Sequence, residues 1–500
     1  MSQRVSLAGR ASLALMLMVG FYLLALGICA GLAWLVFADA QSHRIHPKLW
    51  IMAVVVIGTV IYSVWPRRVK FPDPGVPLRR QDQPRLWSMV DEVARAAGQE
   101  PPRQIFLVPD INAFVAERNS VLGLGGERIM GIGLPLLQVL TLPQAKSVIA
   151  HEFGHYHGGD TRLGPFIYKT REAIGRTIVN FRNLDSILHK PFEWYGKLYL
   201  RATFAISRAQ EYAADALSVR LVGREPVLTA LRRVNETGPL FDHYLEGEFL
   251  PMLNRNRRPP LAQGFRLYLG SKAVGKLQVE FGEQAMQAKG NPYDSHPALP
   301  DRLRAAAAVE SPGAEAAAGP LALTLIDDLA KVEEQLLVFM TGKPEVRKVP
   351  ATSWRDSGAA YGEQWQEVAA GSGRKLPAMR VADLVAHVGE IEQFAALTSP
   401  KVPKDSRRAA GAWLVTVLFG EALRRAGFVL ETSPGDPLEL VRGDVRLNPF
   451  EVVGNLIDGK ITAADWPEFC AHHGVGDLLM AGPELPVLAP AAGRRDQAAG

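Results

Sequence analysis

His151-Glu152-Phe153-Gly154-His155 is the stretch of this 500-residue chain with the plainest chemistry. On a helix, residues four apart share a face, one turn apart. Two imidazoles so placed can grip one zinc ion, and the glutamate between them can reach a water on that ion. The alternative is a solvated helix face. Yet a chain with 11 histidines in 500 residues shows this pattern by chance only about once in a hundred such chains.

A hydrolytic zinc site takes three protein ligands and leaves one position open. His157, two residues past His155, points to another side of the helix. A longer motif would put a third histidine at position 161, which is Thr161. The third ligand must therefore come from elsewhere. Glu211 and Asp215 are the best source, spaced i, i+4 in a second helical stretch. One carboxylate can bind zinc while the other accepts a hydrogen bond from a liganding ring and fixes its tautomer. Taken alone, such a pair is more often a solvated acidic face. The histidines upstream reverse that, because the site has to be completed.

The elements that position these groups are legible nearby. Thr141-Leu142-Pro143-Gln144 has the form of a capping box with proline in the first turn. It predicts a helix running to about His157 and stopping at Gly158-Gly159. A second long helix is expected over 194–222, and a third around 301–309. Before them, Leu86, Met89, Val90, Val93 and Ala97 recur at helical spacing and Gly98 is a stop signal. Segments 104–108, 113–116 and 129–132 read as strands. Gly123-Leu124-Gly125-Gly126 lacks the Lys-Ser/Thr of a phosphate loop and reads as a hairpin turn. Residues 73–84, with three prolines, read as a polar linker.

The N-terminus reads as membrane-embedded. Residues 11–38 carry no charge, more than the ~20 residues a bilayer crossing needs. Residues 49 to about 66 form a second uncharged run, joined to the first by a short loop. Ala38-Asp39-Ala40 has the small-x-small form of a signal cleavage site, but the apolar run is far too long for a signal peptide. Arg4 and Arg10 precede the pair, and Arg67, Arg68, Lys70, Arg79 and Arg80 follow it. By the positive-inside rule both ends, and the large remainder with its catalytic residues, face the cytosol. Cys29 lies within the first run and reads as a buried membrane cysteine.

Composition limits the rest. A hydrophobic fraction of 48% with 21% charged residues is that of a globular chain. Two cysteines exclude a disulfide framework, and a net charge of +5 over this length gives no sign of a nucleic-acid partner. The expected division is a pair of transmembrane helices in 1–70, a metallopeptidase domain over 71–310, an accessory α+β domain over 321–480, and a disordered tail over 483–500. The Ala/Gly/Pro-rich stretch 311–320 marks the boundary. In the accessory part, 321–338 and 413–426 have helical patterns, and 438–447 reads as a hairpin turning at Arg442-Gly443-Asp444. His472-His473 with Cys470 lacks a second ligand pair nearby and reads as a surface cluster.

Three blocks together resemble one family: the membrane-bound zinc metallopeptidases that include the bacterial heat-shock protease HtpX and the eukaryotic CAAX prenyl endoprotease. They are His151 to His155; Arg208, Glu211, Ala214 and Asp215; and Ser295-His296-Pro297 with Arg302. Asn112-Ala113-Phe114 and Gly133-Leu134 are also similar to it. The likeness covers roughly 70–310 and the N-terminal spans. Ser295 stands where the family usually has threonine. HtpX-like members also carry further spans between the zinc helix and the glutamate helix, whereas 163–206 here is broken by seven basic residues. Only two spans are expected, and the aromatic piece 192–204 is either an interfacial segment or a core-facing helix.

The resemblance implies a mainly helical α+β, zincin-like domain with a small antiparallel sheet and one zinc ion. It implies His151, His155 and Glu211 as ligands, Glu152 as general base, Asp215 and Arg208 as supports behind them, and His296 as an oxyanion donor. Substrate would add as a strand along Asn112, Ala113 and Phe114. The function so implied is a membrane-anchored zinc endopeptidase. It would act on polypeptides, membrane or misfolded proteins, at the cytosolic side of a bacterial membrane. A catalytically silent scaffold and a CAAX-type prenyl-protein endopeptidase are the competing readings.

Overall fold

The structure is a computed structural model that describes residues 7–42, 46–65, 72–118, 126–156, 164–184, 189–311 and 316–485. Two compact units divide it: Met1–Phe241 with Gln278–Pro344, and Asp242–Leu277 with Glu345–Gly500.

The first unit begins with two apolar helices, α1 (Leu7–Gln41) and α2 (Pro47–Val64). Both are long and apolar enough to cross a membrane, and they are the only two such helices among the described residues. Asp39 ties their connection. Its carboxylate accepts from the His46 N–H at 2.9 Å and from Trp50 Nε1 at 3.0 Å.

Next come β1 (Val76–Leu78), α3 (Pro84–Ala96), β2 (Gln104–Val108), β3 (Ala113–Arg118) and β4 (Glu127–Gly133). Helix α3 stops where expected, with Gly98 at φ +65°. The strand order is β1-β2-β4-β3. The sheet is mixed rather than antiparallel, because β2 and β4 run parallel. Burial explains the order. Strands β2 and β4 present almost only buried residues and take the two central places, while half-exposed β3 goes to the edge. The expected linker holds β1: Val76 and Leu78 are buried and pair with β2, and Pro77 between them is tolerated because β1 is an edge strand. The glycine-rich turn between β3 and β4 lies outside the described residues.

Then follow α4 (Leu134–Val139), the zinc-motif helix α5 (Leu142–Gly154), α6 (Gly164–Asn183) and α7 (His189–Val222). Helix α8 (Arg224–Tyr244) follows; α9 (Leu250–Asn254) and α10 (Leu261–Gly270) fall in the second unit, α11 (Lys272–Gln287) spans the division at Leu277, and α12 (Leu299–Ala307) and α13 (Leu329–Thr341) return to the first. The stretch 311–320 is not where the units divide. Its Ala317 and Pro320 carbonyls accept from Thr141 Oγ1 and the Leu142 N–H at 2.6 and 2.9 Å. Just beyond it, Gln83 exchanges two hydrogen bonds with the Asp327 backbone, at 2.7 and 2.8 Å. The described part, 316–320, returns to the start of α5.

The second unit centres on α16 (Arg407–Arg425). It is surrounded by α14 (Ser357–Gly371), α15 (Ile391–Thr398), α17 (Pro449–Ile457), α18 (Trp466–His473), the pair β5 (Met379–Arg380) and β9 (Leu479–Ala481), and the sheet β6 (Val429–Glu431), β7 (Glu439–Arg442), β8 (Val445–Leu447). The expected hairpin is β7–β8, turning at Gly443 with φ +59°. Cys470 is buried, and the rings of His472 and His473 pack on each other. Residues 483–485 of the expected tail are described; the rest lies outside.

Candidate metal centre

The zinc-motif helix forms for local reasons. The Thr141 N–H donates to Gln144 Oε1 at 2.9 Å, and the Gln144 N–H donates to Thr141 Oγ1 at 3.5 Å, closing the capping box. The helix ends at Gly154, earlier than the sequence suggests. His155 is its C-cap and keeps helical angles (φ −63°, ψ −19°), so it stays one turn above His151 on the same face. His157, Gly158, Gly159 and Thr161 lie outside the described residues.

Gly154 brings the second helix close. A Cβ there would meet the Ala214 Cα at 2.7 Å, so only glycine lets α5 and α7 cross at this distance. Two turns back along α5, the Ser147 carbonyl accepts from Ser218 Oγ at 2.7 Å across the same buried seam. This crossing carries Glu211 and Asp215 to the histidines.

Four side chains converge as expected. His151 Nε2 lies 3.6 Å from Glu211 Oε2, and His155 Nε2 lies 3.7 Å from Glu211 Oε1. One ligand atom each from His151, Glu152 and His155 falls within 4.8 Å of the others. Ligands bound at about 2.1 Å around a tetrahedral ion sit about 3.4 Å from one another. The separations seen are close to that spacing, and too long for hydrogen bonds. Glu211 Oε2 is buried with no hydrogen-bond partner and meets the Arg302 guanidinium, as an ion pair at 3.3 Å. The donor set fits zinc: two imidazoles, one carboxylate, and Glu152 beside them.

Support comes from behind. Asp215 Oδ1 lies 2.9 Å from His151 Nδ1, which turns Nε2 toward the centre. Arg302 clamps Asp215 with both prongs, Nε to Oδ2 at 2.9 Å and Nη2 to Oδ1 at 2.7 Å, and reaches Glu211 Oε2 at 3.3 Å. It offsets one of the two buried carboxylates and leaves one negative charge for an ion. His296 Nδ1 sits 2.9 Å from Glu211 Oε1, with its side chain largely exposed. Arg208 does not reach the carboxylates. Its Nη1 donates to the carbonyls of Asn291, Pro292 and Asp294 at 3.5, 3.2 and 2.6 Å, so it holds the loop that delivers His296.

Residues 80–310 match peptidase family M48. This part of the chain belongs to that family. It is 30% identical over 174 residues to a protein named Protease HtpX from Alkalilimnicola ehrlichii, covering 30% of this chain and 55% of that one. A Protease HtpX homolog from Acidiphilium cryptum is 32% identical over 191 residues, covering 35% and 65% of the two chains. One from Arthrobacter sp. is 26% identical over 209 residues, covering 39% and 71%. The chain thus spans about half to seven-tenths of the length of these relatives. No solved structure matches it.

The electrostatics of the M48 region divide its acids. Burial pushes Glu152 up to about 7, against the opposing pull of His151. Burial also acts on Asp215, but hydrogen bonds from Arg302 and His151 outweigh it and hold the carboxyl at about 2. Glu211 is lowered in the same way: burial opposes, and His296 and Arg302 prevail. Burial and the neighbouring His151 bring His155 down to about 4, so its ring is neutral. One carboxyl is set to take up and release a proton near neutrality, and two are fixed as anions.

The edge strand of the M48 region differs in detail from the expected substrate strand. Asn112 precedes β3; its carbonyl accepts from the Gly133 N–H at 2.9 Å. Ala113 is buried, and Phe114 lies over Gly131. The Asn112–Gly133 bond makes 112, 114 and 116 the residues bonded to β4, so 113, 115 and 117 turn their backbone groups to the free edge. At Val115 those groups meet the zinc-motif helix. Its carbonyl accepts from Tyr156 Oη at 3.0 Å, and its N–H faces the Glu152 carboxylate. Sequence reasoning gave Arg302 a place in the motif but not its role as clamp, and it missed Tyr156, which no spacing announces.

Proposed function

We propose that this chain is a membrane-anchored, zinc-dependent endopeptidase. The observation that carries the reading is the meeting of Glu211 with His151 and His155 at separations suited to one ion, with the proton-tuned Glu152 alongside. Zinc, when bound by His151, His155 and Glu211, supplies Lewis-acid polarisation of water and of a peptide carbonyl. Glu152 takes the proton of the attacking water and returns it to the leaving amine. His296, held by Glu211 through Nδ1, keeps Nε2 for a developing oxyanion. Asp215 and Arg302 hold the His151 ring in one orientation. An extended polypeptide pairs with the edge groups of Ala113 and Glu117, with specificity set by alternate side chains.

The basic residues flanking α1 and α2 support a cytosolic site, and an anchor beside the bilayer suits membrane or misfolded proteins as substrates. The test is Glu152→Gln in the full chain. Zinc content should stay at one per chain while casein cleavage falls about 10²–10⁴-fold. Near-normal cleavage by that variant rejects Glu152 as the base, and chelator-resistant cleavage by the wild type rejects the metal.

A further inference from the structure

Helices α6 and α7 form a pair whose apolar side packs on α1 and α2. Phe181 stacks on Phe192 at 5.6 Å between ring centres, and Phe192 meets Phe21 of α1 edge-on at 6.2 Å. Tyr195 Oη donates to the Leu17 carbonyl at 2.5 Å. At the end of α2, Asn180 Nδ2 donates to Ser63 Oγ at 2.9 Å and Arg176 Nε to the Ser63 carbonyl at 3.1 Å. The piece 192–204 is therefore core-facing along Phe192 and Tyr199, while Trp194 and Leu198 stay exposed.

Between α6 and α7 lies a cavity of about 440 Å³. Ile174, Ile178 and Leu200 line it, and Arg171, Arg182 and Lys197 bring three cations to it. Gly175 faces its open space: a Cβ there would meet nothing within 4 Å. Arg171 is pre-set, with its guanidinium 4.2 Å over the Phe204 ring. Glu193 also lines the cavity and bonds Arg182 Nε at 2.7 Å, but a guanidinium has five donors and keeps others for a ligand. Across 164–204 there are seven Lys/Arg against three Asp/Glu.

We propose that this cavity binds one anionic phospholipid, its phosphate between Arg182 and Lys197 and the start of its acyl chains on Ile174, Ile178 and Leu200. Depth argues for a lipid. Ser63 lies in the last turn of an 18-residue apolar helix, which at 1.5 Å per residue is about as long as a hydrocarbon core is thick. The hairpin grips α2 at that turn, so the cavity is level with the phosphates of one leaflet. Basic pockets beside spanning helices recognise anionic headgroups, at about 1 kcal/mol for each cation. This inference rests on α1 and α2 crossing the bilayer, and it is independent of the zinc chemistry.

The experiment uses the full chain in nanodiscs of phosphatidylcholine with a minor share of phosphatidylglycerol, with bound lipid counted by native mass spectrometry. Retention in membranes after alkaline carbonate washing tests the spanning helices separately. One phosphatidylglycerol per chain is expected to stay bound, undisplaced by millimolar inorganic phosphate. Loss of two cations in Arg182→Gln/Lys197→Gln should weaken it about 25-fold. Gly175→Leu should exclude it by filling the cavity with the cations intact. If Gly175→Leu does not fold, the charge variant decides alone. Equal retention of the two lipids, displacement by inorganic phosphate, or unchanged retention in the charge variant overturns the proposal.

Discussion

The seam between α5 and α7 and the core around α16 are both buried, helix-centred contacts, and they are made of opposite materials. Around α16 the buried residues are Val415, Val417, Leu418, Phe419 and Leu423, packed on Trp466, Leu440 and Val453. Between α5 and α7 the buried groups include Ser147, Glu211, Asp215 and Ser218, beside two histidines and an arginine. Apolar burial stabilises in proportion to area and asks little of geometry. Buried polar groups cost energy unless each finds a partner. In the seam nearly all do; Glu211 Oε2 makes no hydrogen bond and has its ion pair with Arg302 at 3.3 Å. A carboxylate oxygen so lightly held has room for a further cation.

The comparison breaks most visibly at Asp215. Asp215→Ala strands Arg302 in the seam, and losing one member of a buried pair costs about 3–5 kcal/mol. Thermal unfolding should drop accordingly and zinc affinity should fall with it. Leu418→Ala, in the apolar core, should cost about 2–5 kcal/mol through the cavity it leaves. Zinc stoichiometry should not move; coupled loss of metal would mean that the two regions are not the separate systems described.

Smaller changes sharpen the contrast. Tyr156→Phe removes the hydroxyl that bonds the Val115 carbonyl on the free edge, at a cost of about 1 kcal/mol. If peptides pair with that edge, KM should change more than kcat. The smallest effect belongs to Glu248 in the second unit, whose carboxylate accepts from the Gly435 N–H at 3.1 Å. Burial raises its pKa above the usual 4.5. Its folded pKa exceeds the unfolded one, so its contribution to stability is fully present below about 4.5 and is lost as pH rises through the folded value. Glu248→Gln keeps the acceptor and should flatten that decline in a stability profile from pH 4 to 7.

The site was legible where its chemistry is local. The histidine spacing, the capping box at Thr141 and the i, i+4 carboxylates are short-range patterns, and each stands where its spacing implied. What stayed hidden depends on distant partners. Prolines concealed β1, because its pairing with β2 is non-local. Central placement of β4, which makes the sheet mixed, follows from burial on both faces rather than from the order of strands. Arg208 and Arg302 look alike in sequence, yet one holds a loop and the other a carboxylate pair. The stretch 311–320 has the composition of a boundary, yet its Ala317 and Pro320 bond the start of α5.

The central claim is that two rings from α5 and one acid from α7 hold a single ion. Metal analysis of the purified full chain and of Glu211→Gln tests it directly. The account predicts one zinc per chain in the wild type and an affinity lowered by at least about 10–100-fold in the variant. Full zinc occupancy with unchanged affinity in Glu211→Gln would contradict it.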